Sequence, residues 1–414
     1  MRKEIINNLE NPKILEKLYR DNKTTFKKSF DLVYPEIQDN TTAQIWNERL
    51  NFEQKEISWG TKYELLIVIV LSFIAGLIAK IPDFTGQDPE YYYPRHLSFI
   101  IFPMLSTYFV WKQSMQKNKL LLISIVFLLS VFYINFLPNN DKSDTLFLAC
   151  IHLPLFLWSI LGFTYTGNEF KNLHKRIDFL RYNGDLVVIT TVILIAGGIL
   201  SAVTVGLFEL INIKIGEFYF QNVAIWGLAA APIIGTYLVQ TNPQLVKNVS
   251  PIIAKVFTPL VLVMLIVYLI AIIYTGKDPY NDREFLLIFN VLLIGVMAII
   301  LFSVAETSNN TGNKISTMLL FLLSLVTIII NGIALSAIIF RISEWGITPN
   351  RLAVLGGNAL ILINLMMVTY KLFKSQRNPD ELMNVENSIA AFLPVYSVWT
   401  IVVTFLFPLI FNFI

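Results

Sequence analysis

The sequence predicts an all-α fold: a polytopic transmembrane bundle of about 11 spans, N-terminus inside and C-terminus outside. Three observations predict it. Hydrophobic residues make up 55% of the 414 and charged residues only 15%, where a soluble protein carries about 25% charged residues; mean hydropathy is +0.60. The apolar residues are gathered into stretches of the length a helix needs, at about 1.5 Å per residue, to cross a hydrocarbon core of roughly 30 Å. The basic residues, finally, divide unevenly between alternate loops.

The chain opens on residues 1–60, a charged stretch read as a cytoplasmic amphipathic helical region. Met1-Arg2-Lys3-Glu4 leads into no apolar core, so no cleavable signal peptide is expected. Ile14, Leu15, Leu18 and Tyr19, then Phe26 and Phe30, follow the i, i+4 spacing of a helix with one apolar face. Thr41 and Gln44 have capping-box spacing ahead of Ile45, Trp46 and Leu50, so another helix starts there. The simpler reading of this region is a helical cap on the protein's own cytoplasmic face; the alternative is a docking module for a cytoplasmic protein partner.

Residues 61–414 are the transmembrane helical bundle, with spans expected at 63–80, 97–111, 120–137, 145–165, 186–208, 222–239, 252–275, 285–305, 317–340, 352–373 and 389–414. The second is short and leans on Tyr91, Tyr92, Tyr93 and Trp111 as interfacial anchors. With the N-terminus inside, 24 of the 32 Lys and Arg residues fall in inside segments and 8 in outside ones. That bias has the sense expected of cytoplasmic loops.

Within the spans, Gly198, Ala202 and Gly206 recur every fourth residue, as do Gly227, Ala231 and Gly235 in the next span. Small residues at that spacing let helix backbones approach, so the two spans are expected to form a tight antiparallel hairpin. A sliding surface is the functional alternative. Pro103, Pro154, Pro232, Pro259, Pro394 and Pro408 each remove an intrahelical hydrogen bond that neighbours must replace. Ionisable residues are few: Glu64 and Lys255 sit near inner span ends, where snorkelling accounts for them. Glu209 and Glu306 are at span ends too.

The remaining polar residues gather toward the outer side. At about 1.5 Å per residue, Asn290, Asn331 and Asn358 lie about 8, 14 and 9 Å below the outer ends of their spans. Above them runs R-I-S-E-W-G-I-T-P-N-R, with Arg341 and Glu344 spaced to pair and with Gly346 and Pro349-Asn350 breaking the helix. Asn290, Asn331, Arg341, Glu344, Arg351 and Asn358 are the candidate ligand-binding set, the arginines gripping an anionic or lipid-derived group. On the plainer reading the asparagines hydrogen-bond between helices and the loop caps the bundle.

Other chemistry is poorly represented. A net charge of +3 is too balanced to suggest a nucleic-acid partner, and Cys150 is the only cysteine. His96, His152 and His174 stand on separate segments, so neither a metal nor a cofactor is expected. The loop from Asp278 to Glu284 lacks a calcium-loop pattern. No phosphate-binding loop, dinucleotide fingerprint, zinc-protease motif or nucleophile elbow occurs, which favours a non-enzymatic role, permease-like or channel-like. A membrane scaffold or sensor subunit is the alternative.

Two runs, K-V-F-T-P-L-V-L-V-M-L-I-V-Y-L-I-A-I-I-Y (Lys255 to Tyr274) and the Arg341 to Arg351 loop, resemble the bacterial membrane-protein family called domain of unknown function 4153. Leu15 to Arg20 and Trp46 to Leu50 are similar to the segment that precedes the spans in that family. The family pattern often has tyrosine at Trp345 and an aromatic residue at Leu352. The resemblance implies a multi-pass bacterial inner-membrane protein and brings no activity or catalytic residues with it.

Overall fold

The computed structural model describes residues 2–21, 23–51, 60–140, 142–210, 213–243, 258–267, 269–270, 274, 280, 283–307, 314–376 and 381–414. Among these there are helices and no strands. The chain divides into two compact units, Met1–Trp59 and Gly60–Ile414.

The first unit is four short helices: α1 (Arg2–Asn7), α2 (Pro12–Asp21), α3 (Lys23–Ile37) and α4 (Thr41–Asn51). They enclose a core of their own around Ile5, Leu15, Phe26, Phe30, Ala43 and Trp46, so the spacing read from the sequence corresponds to an inward face. The expected Thr41 and Gln44 capping box does not form. Asn40 caps α4 instead, its Oδ1 accepting from the Thr42 and Ala43 amides at 2.8 and 3.2 Å, as the short Asn side chain does well at this position. Glu16 pairs within α2 with Arg20 (2.8 Å) and draws α2 to α4 through Arg49 (2.7 Å), and Arg49 also lies 4.5 Å from the Trp46 ring centroid.

Those two arginines hold the Glu16 carboxyl below its ordinary value of 4.5. A carboxylate with a depressed folded pKa stabilises the fold above its unfolded pKa, and the stabilisation is lost as pH falls through the folded value. Hydrogen exchange of the full chain should therefore show protection of α2 and α4 weakening below about pH 4.5, and Glu16→Gln should lack that dependence while starting less protected at pH 7. Equal pH profiles for the two proteins would contradict this.

In the second unit eight helices among the described residues are long and apolar enough to cross a membrane. They are α5 (Lys62–Ala79), α8 (Lys117–Phe136), α9 (Asp144–Thr166), α10 (Leu173–Leu210), α11 (Gly216–Thr241), α14 (Lys314–Trp345), α15 (Pro349–Ser375) and α16 (Leu382–Ile410). Between them lie α6 (Ile81–Thr85), α7 (Pro89–Lys112), α12 (Thr258–Val267) and α13 (Arg283–Thr307). The expected span 97–111 sits inside α7, whose opening turns carry three tyrosines, Arg95 and His96 and so dilute its hydropathy. The expected spans 252–275 and 285–305 contain the shorter apolar helices Thr258–Val267 and Leu292–Ala305. Lys255, and with it the start of the Lys255 to Tyr274 run, lies outside the described residues, as does most of the Asp278 to Glu284 loop. Nothing is described of the Glu306 side chain.

Lipid is as apolar as leucine, so helices in a bilayer associate through close packing and hydrogen bonds rather than through a hydrophobic drive. Aromatic rings seated on glycines supply such packing. A Cβ built on Gly76 would overlap the Trp226 ring, one on Gly184 the Phe302 ring, and one on Gly356 the Trp399 ring. The glycine stripes read from the sequence behave differently. Gly198, Gly206 and Gly227 meet nothing within 4 Å, and Ala202 is exposed. Contact between α10 and α11 is made lower down, where Gly235 faces Thr190 and Leu186 and Ala231 is buried. The expected hairpin of two matched small faces is thus replaced by one small face, on α11, against ordinary side chains of α10.

Candidate functional site

The six residues singled out by polarity fall into two groups. Asn358 Nδ2 on α15 donates to Asn290 Oδ1 on α13 at 2.8 Å, and Asn331 Nδ2 on α14 donates to the Asn358 carbonyl at 3.2 Å. Asn331 and Asn358 are buried, so the trio cross-links three helices. Such bonds between membrane helices contribute about 0.6 kcal/mol each and at most about 1.7. Arg341 and Arg351 gather instead on Trp345, with guanidinium carbons 5.0 and 5.8 Å from its ring centroid. Arg351 Nη1 donates to the carbonyls of Trp345 (2.8 Å) and Gly346 (2.7 Å), satisfying groups that the end of α14 leaves without helical partners. Gly346 has φ +75°, the left-handed conformation that ends the helix. Glu344 is exposed and makes no ion pair among the described residues, so the expected pairing with Arg341 does not form. In this arrangement the asparagines bond helices to one another and Arg351 caps a helix end.

Two buried ionic clusters stand where hydropathy suggested none. Glu64 is 7% exposed, not snorkelling: its Oε1 accepts from the Tyr108 hydroxyl (2.6 Å) and from Lys112 Nζ (3.0 Å). This joins the start of α5 to the end of α7. Arg181 on α10 donates from Nη2 to Glu386 Oε1 on α16 (2.6 Å), from Nη1 to Asp178 (3.1 Å) and from Nε to the Ala305 carbonyl at the end of α13 (2.7 Å). Glu386 is 4% exposed. The expected spans 186–208 and 389–414 leave both residues in loops, whereas α10 begins at Leu173 and α16 at Leu382, well before the apolar stretches do. The signal available was the helical spacing of Ile177, Leu180 and Asp178, Arg181, Asp185 through the charged stretch.

Close to that clamp lies a cavity of about 340 Å³ between α8, α9, α10 and α16, lined chiefly by Ile123, Val126, Phe156, Phe163, Leu393 and Ile401. Its polar groups are few. Ser397 Oγ donates to Ser159 Oγ at 2.9 Å across the gap between α16 and α9, and Trp158 turns its Nε1 to Asn183 Oδ1 (2.9 Å). The lining on α9 runs from Phe156 to Thr166, about 15 Å at the helical rise.

At one end stands Arg176, and the sequence explains why it is held there. Pro394 has no N–H, so the Ala390 carbonyl one turn earlier loses its helical partner. Arg176 Nη1 donates to that carbonyl at 3.0 Å, and its Nε donates to the Phe170 carbonyl at 3.0 Å. The guanidinium also lies 4.8 Å from the Phe170 ring centroid. The Nη2 edge has no protein partner among the described residues. A cavity with apolar walls and one fixed, charged donor can hold a molecule with an apolar body and a polar end. Compared with protein-family models, with curated proteins and with solved structures, the chain finds no match.

Proposed function

We propose that the chain is an eleven-span, non-enzymatic, permease-like protein of the bacterial inner membrane, N-terminus in the cytoplasm, that admits a lipid-derived amphiphile sideways into the cavity between α8, α9 and α16. The observation that carries this reading is the apolar cavity closed at one end by a guanidinium already anchored on two carbonyls. Its volume is within the range of about 300–1,000 Å³ typical of small-molecule sites, with the usual apolar lining and few polar groups. The α8 wall supports lateral entry. Only 17% of its apolar window is buried, against 39% for α9, so α8 can lean away from the bundle at little cost in contacts. The cavity is preferred to the asparagine group as the ligand site, because Asn358 Nδ2 is engaged by Asn290 and Asn331 Nδ2 by the Asn358 carbonyl.

Contacts between element ends support the alternation of spans. The start of α5 meets the end of α7 through Glu64 and Lys112, and Lys119 near the start of α8 reaches Asn168 just past α9 at 3.0 Å. The start of α9 meets the C-terminal end of the chain, where Ser143 Oγ donates to the Phe413 carbonyl at 3.0 Å. Each pair has one membrane face in common under the eleven-span count.

The test is to reconstitute the full chain with a phospholipid carrying a photoactivatable group midway along its acyl chain, and to map adducts by peptide mass spectrometry. Adducts are expected to concentrate on 122–126, 156–163 and 393–401. Labelling spread evenly over lipid-facing surfaces such as 191–200 of α10 would sink the reading.

A further inference from the structure

We infer that the amphiphile is an anionic phospholipid whose phosphate is held by the Nη2 edge of Arg176. This deepens the cavity reading above and rests on it. Arg176 is built for an anion more than for a neutral headgroup. Two of its donors are already fixed by the Phe170 and Ala390 carbonyls, so the planar fork is oriented before any ligand arrives. A fork held in this way matches the paired oxygens of a phosphate.

The surroundings of that end have the same sign. Lys119 lies with its Nζ 5.9 Å from the ring centroid of Phe163, a cavity-lining residue, and bonds Asn168 Oδ1. Lys171 and Lys175 precede Arg176 in sequence. Against them Glu169 is the nearby acid on the same connection, and its carboxylate accepts from Asn172 at 2.9 Å. Asp178, two residues on, and Glu386, one turn before Ala390, are both taken by Arg181. Outside that clamp, Lys119, Lys171, Lys175 and Arg176 stand against Glu169, so the charge at this end is net positive. A free phosphate would satisfy the guanidinium but leave the apolar length from Phe156 to Thr166 unfilled, whereas a phospholipid satisfies both. On the proposed orientation this end faces the cytoplasmic leaflet.

Pro394 has a defined part in this arrangement: it is a positioning residue, because the carbonyl it frees is the one that orients Arg176. Pro394→Ala would restore an N–H at residue 394 to compete for the Ala390 carbonyl, loosening the fork without removing its charge.

The experiment compares two photoactivatable lipids with identical chains, phosphatidylglycerol and the diacylglycerol that lacks its phosphate, in vesicles containing the full-length protein. Wild type should label the cavity peptides roughly tenfold more with the anionic lipid, the size expected of one or two charge-assisted hydrogen bonds. Arg176→Gln should bring the two lipids to equal cavity labelling, and Pro394→Ala should reduce the preference while cavity labelling persists. Excess inorganic phosphate should leave the wild-type result unchanged. Cavity labelling that is equal for both lipids in the wild type would overturn the anion inference and leave the cavity reading standing. Cavity labelling by neither lipid would overturn both, and displacement by inorganic phosphate would overturn the assignment of the Arg176 edge to a lipid.

Discussion

Replacing Glu386 by alanine is expected to destabilise the protein by about 3–5 kcal/mol, the usual consequence of removing one partner of a buried ion pair. The reason lies in what stays behind. Arg181 has 18% of its side chain exposed and Glu386 only 6%, so the guanidinium would keep the more exposed Asp178 and the Ala305 carbonyl but lose its buried carboxylate partner. The pair also connects α10, α13 and α16 at one point, so its loss loosens three elements together. A double variant, Arg181→Met with Glu386→Leu, should recover most of the loss, because removing both charges ends the desolvation cost as well as the attraction. Thermal unfolding in detergent micelles measures both. A Glu386→Ala midpoint equal to wild type, or a double variant worse than the single one, would show that the pair is not the clamp described.

Gly356→Val should destabilise by about 1–3 kcal/mol or more through overpacking. A Cβ at residue 356 would overlap the Trp399 ring. That ring is packed in turn against Phe407, 5.9 Å between centroids, so it has little room to withdraw. The effect is specific in kind: Gly356→Val combined with Trp399→Ala should recover part of the stability, since the second change vacates the space the first one needs. Gly198→Val is the control, because nothing lies within 4 Å of that position. Equal losses at Gly356 and Gly198 would mean that intrinsic helix effects, and not the ring contact, set the cost.

Hydropathy made the helix-rich architecture legible because lipid imposes a length on every apolar stretch, and each of the eight helices long and apolar enough to cross coincides with an expected segment. The same signal set the wrong ends. It starts where charge stops, so α10 and α16 were cut at 186 and 389 and the Arg181 and Glu386 clamp was assigned to loops. The Asn290, Asn331 and Asn358 grouping could be read from helical rise and alternating direction, yet what the three do with one another depends on rotamers and interhelical distance. The cavity was beyond reach for another reason. Its walls come from residues 122–126, 156–179 and 393–401, and its anchored arginine depends on a carbonyl freed by a proline more than two hundred positions away. Pro394 was visible as a break in hydrogen bonding; its partner could be found only in three dimensions. The glycine stripes failed similarly, since spacing identifies a small face but not what lies against it.

The most direct test of the cavity as a lipid site is an electron cryomicroscopy structure of the full chain in phospholipid nanodiscs. Chain-shaped density between α8 and α16, passing Trp158, Ser159 and Ser397 and ending in a headgroup at Arg176, is the expected result. Closure of α8 onto Leu393 and Ile401 with no density between them would contradict it.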